Sequence, residues 1–177
     1  MGTAEGARAP ADGYTLLLTS QGTTVFNLGL YKTLGYDPLK DLVPLNVTGT
    51  LPNVLVVSPT NPAMSVADLI AQACAMTSKD RSALLPDVPT MMQAEVPDFD
   101  VAVWLGFAVP TNTPGAIVSR LNAESNRVSQ NLQVREKLLV QGFEMLPPTS
   151  PEAARKLIVD DQALWLPIIR QSGAKAE

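Results

Sequence analysis

The chain has 177 residues, 46% apolar and 17% charged, with a net charge of −4; that composition suits one domain, or two small ones, and excludes a disordered chain. Histidine is absent, which removes Ser-His-Asp and Cys-His nucleophile systems, HExxH zinc sites and the commonest pH switch. The acidic excess is shared by both halves, so no basic patch for nucleic acid is indicated, and no run of 18 apolar residues marks a membrane span.

Residues 3–9 are Ala-rich and read as the end of a longer helix, too short to stand alone. After the Asp12-Gly13 turn signal, Tyr14 to Thr19 reads as a buried strand with both faces largely apolar. The polar run Ser20 to Thr24 follows, and a helix is expected through Leu28, Tyr31 and Leu34. A strand that runs into a small polar loop at a helix start is the geometry that holds anions in open α/β sheets. Leu42 to Val47 and Val54 to Val57 read as strands. Ser65-Val66-Ala67-Asp68 fits a capping pattern for a helix from 65 to about 74.

The passage Ala73-Cys74-Ala75-Met76-Thr77-Ser78 goes from helix-like to strand-like sequence without a Gly, Pro, Asn or Asp to turn the chain. Most helices carry a terminator, so this place reads as a join. Beyond it, Met91 to Glu95 fits one helical turn, and Val101 to Val109 is the most strand-like run. Thr113-Pro114 places a capping hydroxyl before a proline at a helix start. That helix repeats apolar residues at Ile117, Leu121 and Val128, then continues or restarts through Leu132 and Leu139 and stops at Gly142. Phe143 to Leu146 is a short strand. Ser150-Pro151 opens the last helix, with Ala154, Leu157, Ile158, Leu164, Ile168 and Ile169 on one face, and Pro167 is expected to kink it. The order of elements predicts an α/β protein with a mostly parallel sheet flanked by helices.

Three blocks carry a family resemblance: Pro10-Ala11-Asp12-Gly13-Tyr14-Thr15-Leu16-Leu17, Arg81-Ser82-Ala83-Leu84-Leu85-Pro86-Asp87-Val88-Pro89-Thr90, and Trp104-Leu105-Gly106-Phe107-Ala108-Val109-Pro110. With Tyr36 to Asp41 and Asn53 to Val57 they resemble the Bug-type extracytoplasmic receptors of tripartite tricarboxylate transporters. The resemblance implies a type II periplasmic-binding-protein fold and no enzyme activity. It implies capture of a small organic anion, such as a di- or tricarboxylate or an amino acid, for delivery to membrane transporter subunits. No cofactor or metal is expected. Nothing in the chain matches the family's secretion signal, first strand or Pro-Ala-Gly-Gly-type loop. The family's inserted second lobe would fall at the join. The expected organisation is therefore one receptor lobe built from segments 1–74 and 75–177, with the second lobe largely missing. The resemblance places it in the periplasm, whereas the N-terminus as written keeps it in the cytoplasm.

The pocket segment that the resemblance leaves is Thr19, Ser20, Gln21, Gly22 and Thr23, whose hydroxyls and amides are candidate donors to a carboxylate. A plain strand-to-helix cap is the alternative. Trp104 is a candidate for the cleft wall, though an aromatic in an apolar strand is more often core. Cys74, the single cysteine, lacks a His or Cys partner and reads as a small buried residue. Asp160-Asp161 reads as a solvated helix face, because adjacent helix positions diverge by about 100°. Arg120, Arg127 and Arg135 read as a solvated stripe. The missing first strand is expected to leave a sheet position empty and invite self-association through exposed sheet. Strain or mobility is expected at 74–80.

Overall fold

Alternation of large apolar residues with small or polar ones gives the main sheet its four strands: β1 (Leu17–Ser20), β2 (Leu42–Pro52), β5 (Ala102–Pro110) and β6 (Glu144–Met145), in the order β1-β5-β2-β6. The structure is a computed structural model and describes residues 2–55, 75–82, 84–94 and 96–176. The predicted helix at 65–74 and Cys74 lie outside the described residues. A second, two-stranded sheet pairs β3 (Val54–Leu55) with β4 (Ala75–Met76).

The α/β class holds, but the ladders differ from the mostly parallel sheet expected. β5 runs antiparallel to both β1 and β2, and β2 antiparallel to β6. β1 and β2 do point the same way, as a helical crossover requires, yet they do not touch, because β5 fills the place between them. Element order alone cannot show a strand that returns from far along the chain. Among the described strands this leaves no empty sheet position between β1 and β2, which corrects the expected vacancy.

Helices lie on both faces. On one, α5 (Pro151–Ser172) and the segment after β1 close a core of Val25, Val47, Trp104, Ala154 and Ile158. On the other lie α3 (Gly115–Ser129) and α4 (Leu132–Leu139). A buried polar network fastens α3 to β2. Asn46 Nδ2 donates to Ser125 Oγ and Asn126 Oδ1 at 3.1 Å each, and Asn122 Nδ2 donates to the Leu45 and Thr149 carbonyls at 2.8 Å each. Every such buried group left unpaired would cost ~1–3 kcal/mol, so this network fixes where β2 meets α3. Gly106 is required where β5 crosses β2, since a Cβ there would sit 2.2 Å from the Asn46 carbonyl oxygen.

Several local expectations change. β1 begins only at Leu17, and Leu16 and Leu18 are 48% and 63% exposed, so just one of its faces is buried. The helix after the loop stops at Leu30: one π turn (Gly22–Phe26) runs into a single α turn, α2 (Asn27–Leu30), and Tyr31 is already extended. Tyr36 Oη donates to the Thr23 carbonyl at 2.6 Å and draws the following chain back over the loop. Thr113 does not cap α3; its hydroxyl turns back to the Pro110 carbonyl at 2.7 Å. The long helical pattern does break, at Asn131, whose side chain caps Gln133 and Val134. Ser150 caps α5 through Ala153, and the helix runs on through Pro167 to Gly173 at φ 70°.

At the join, Ala75 and Met76 are 0% and 1% exposed. Met76 donates to the Pro89 carbonyl and accepts from the Met91 amide, both at 2.8 Å, while Thr77 pairs with Asn53 at 3.0 Å. None of residues 75–80 has a left-handed backbone. The expected strain is therefore not found in the described part of the join, because both segments supply backbone partners for it.

Candidate functional site

The C-terminal ends of β1 and β2 and the N-terminal start of β5 meet at one edge of the sheet, since β5 runs against the other two. The loop Ser20–Thr23 lies at this edge. Its hydroxyls serve its own backbone: Ser20 N donates to Thr23 Oγ1 at 3.0 Å, Thr23 N to Ser20 Oγ at 3.3 Å, and Thr23 and Thr24 hydroxyls both donate to the Ser20 carbonyl. Thr19 is 3% exposed, and its hydroxyl donates to the Gly106 carbonyl at 3.2 Å inside the sheet. These contacts match the strand-to-helix cap weighed from the sequence. They shape the loop that delivers Gln21. Gly22 opens the π turn, closed by the Asn27 amide bonding to the Gly22 carbonyl; such wide turns recur at functional sites.

Gln21 is the residue of this loop that turns inward. It is 3% exposed and donates from Nε2 to Asp161 Oδ2 at 2.8 Å, while its Oε1 is buried without a partner among the described residues. Trp104, 4% exposed, donates from Nε1 to the same Asp161 oxygen at 2.7 Å. One carboxylate oxygen on α5 thus ties the loop after β1 to the start of β5. Gln162 adds a further tie, donating to the Thr24 carbonyl at 2.8 Å. A cavity of about 260 Å³ lies against this group, with Gln21, Trp104, Asp161 and Trp165 in its wall and Asp100 beside them. Trp165 is held edge-on to Phe26, ring centres 5.4 Å apart.

Trp104 is therefore both core and cavity wall. Of the carboxylate pair, Asp160 is on the solvated face as expected and pairs with Lys156. Asp161 is not, and this corrects its reading. The signal was present in the spacing: Ala154, Leu157, Ile158, Asp161 and Trp165 follow one another at three and four residues, so position 161 falls on the inward stripe. Arg127 on α3 pairs with Glu124 at 2.7 Å, and Arg135 on α4 donates to Gln130, just past the end of α3, so these two arginines form no shared site.

No group of three or more metal-ligating side chains occurs among the described residues. Nor is any helix there long and apolar enough to cross a membrane. Hydrogen bonding to Lys40 holds Asp37 below the usual carboxylate range, the pairing raises Lys40, and the first-turn amide of Glu152 itself lowers Glu152.

Known proteins resemble this chain in sequence and fold. The model for the tripartite tricarboxylate transporter family receptor matches residues 1–76 and again 72–174. Protein BugT of Bordetella pertussis is 26% identical over 250 aligned positions, which take in 99% of this chain and 76% of BugT. The solved structure of R. palustris Rpa4515 with adipate superposes with a TM-score of 0.82 at 23% identity, covering 99% of this chain and 83% of that one. MatC from Rhodopseudomonas palustris with bound malate gives 0.78 at 20% identity, over 94% of this chain and 83% of that one. These structures share the fold, and the family match covers nearly the whole sequence: the chain belongs to the tripartite tricarboxylate transporter receptor family, a family of solute-binding proteins and not of enzymes.

Proposed function

We propose that this chain is a receptor lobe for small organic anions, carboxylates above all, and that it binds them weakly. The observation that carries the reading is the loop Ser20–Thr23, built at the strand-end edge where open α/β sheets take ligands in a chain of the receptor family. That the Rpa4515 and MatC structures hold adipate and malate favours this ligand class. Organisation as two segments, 1–74 and 75–177, joined where relatives carry a second lobe draws support from two facts. The family model matches in two pieces that meet at 72–76, and the BugT alignment is longer than this chain, so part of BugT faces a gap. The receptor's place would be the periplasm, beside the membrane subunits of its transporter. Capture between two lobes excludes water by hinge closure; one wall alone leaves much of the ligand in solvent.

Isothermal titration with dicarboxylates, citrate and nicotinate tests this. The expected dissociation constants are no tighter than about 1 mM, roughly −4 kcal/mol. A micromolar constant would show that a second wall is dispensable. Absence of heat with every solute would favour the second reading, a structural or self-associating remnant. That reading has its own support in the exposed Leu16 and Leu18 beside the outer edge of β1. A concentration-dependent mass in light scattering is its expected sign.

A further inference from the structure

The polar wall of the cavity below Gln21 is rich in acceptors. Asp161 uses one oxygen, Oδ2, for both Gln21 and Trp104; its Oδ1 has no hydrogen bond among the described residues. Gln21 Oε1 is buried and without a donor among the described residues. Asp100, at the rim, accepts the Lys79 amide on Oδ1 at 2.9 Å. Among the described residues no lysine or arginine lines the cavity, and the side-chain donors that Asp161 does not already engage are the Thr50 hydroxyl and the Trp165 indole N–H. The rest of the wall is apolar, with two indole rings.

We infer that this cavity takes the protonated amine of a small solute. The inference rests on the receptor reading above and names which part of a ligand this wall recognises. A carboxylate placed here would face two aspartates and an acceptor amide, and like charges at close range disfavour both ionised forms. An ammonium brings three donors to the same groups, can meet the orphaned Gln21 oxygen after a small side-chain adjustment, and gains from indole faces nearby. At about 260 Å³ the space is just below the range of drug-sized pockets, which fits an amine on a short carbon chain. A solute carrying both an amine and a carboxylate would then use two different surfaces: this wall for the amine, and the remainder of the edge for the acid.

The two tryptophans of the chain, Trp104 and Trp165, both line this cavity, so intrinsic fluorescence reports its occupancy directly. The full chain is titrated with propylammonium, L-glutamate and glutarate at pH 7, in parallel by fluorescence and calorimetry. Glutamate and glutarate share a carbon chain and two acids and differ by the amine. The expected result is a saturable fluorescence change with propylammonium and glutamate, and glutamate at least tenfold tighter than glutarate. Asp161→Asn, which keeps an acceptor for Trp104, is expected to lose at least tenfold for both amines. Asp100→Asn, an exposed change at the rim that leaves the core untouched, is expected to lose less, about threefold. Glutarate equal to glutamate, with propylammonium silent, would overturn the inference and leave the receptor reading standing. Heat without any tryptophan response would do the same, by placing the ligand elsewhere. No binding of any solute by either method would overturn both.

Discussion

The two faces of one sheet are made from similar residues and end differently. Toward α5, Val47, Trp104 and their helical partners Ala154 and Ile158 are all under 5% exposed. On the other side, Leu16, Phe107, Leu121, Val128 and Leu138 line an apolar groove of about 380 Å³ between the strands and α3 and α4, and Leu16, Leu18 and Val128 remain largely open to solvent. β1 and β5 contribute to both. Leu17 pairs with Ala108 on the covered side, and Leu18 with Phe107 on the open one. An apolar strand residue states which periodicity the backbone follows; whether it is buried depends on what the rest of the molecule lays over it.

Truncating a matched pair of side chains puts the difference to measurement. Ile158→Ala on the covered face is expected to cost ~2–5 kcal/mol, from lost burial and the cavity left among Val25, Val47 and Trp104. Leu18→Thr on the open face is expected to stay within ~0.5 kcal/mol, because the side chain is already in water. Urea unfolding of both variants checks this through the midpoint, with the slope as a control on two-state behaviour. A loss of 2 kcal/mol or more for Leu18→Thr would mean that the open face is covered in solution, and light scattering would then show by another copy.

Much of this was readable in advance. The Ser150-Pro151 start of α5 and the Gly142 stop depend on local chemistry and stand as the residues imply; of the predicted face, Ala154, Leu157 and Ile158 pack into the core, whereas Leu164 and Ile168 are 57% and 46% exposed. The antiparallel return of β5 between β1 and β2 was not readable, since the partners lie some 87 positions apart, as in the Thr19 to Gly106 bond. The candidate site divided the same way. The loop 19–23 and Trp104 were marked by composition and resemblance. Asp161, which joins them, reads from the doublet as solvated, because adjacent helix positions diverge by about 100° and the two acids form no facing pair. Neighbours in sequence can face opposite ways on a helix, and the three-and-four spacing carried more information than the doublet.

The smallest expected effect concerns the turn that leads into β2 and serves the covered face. Asp37 Oδ1 accepts the amides of Leu39 and Lys40 at 3.0 and 3.2 Å, and Oδ2 pairs with Lys40 at 2.9 Å. Leu39 packs against the core beneath α5, and its carbonyl accepts from Arg155 of that helix at 3.0 Å. The Lys40 hydrogen bond is the main cause that lowers the Asp37 carboxyl, against a weaker opposing effect of burial. A lowered pKa in the folded state means that the ionised form stabilises the fold above the ordinary carboxylate value of ~3.9. That contribution disappears as pH falls through the folded-state value, below ~3.9. The pair is exposed, at 81% for Lys40 and 41% for Asp37, and solvent screening keeps its contribution small. Asp37→Asn is therefore expected to be slightly less stable than the parent at pH 6, with the gap closing as pH falls below ~3.9, as read by urea midpoints across that range. If the gap instead grew on acidification, another carboxylate would be the one that secures this turn, and the link from Asp37 through Leu39 to the covered face would fail.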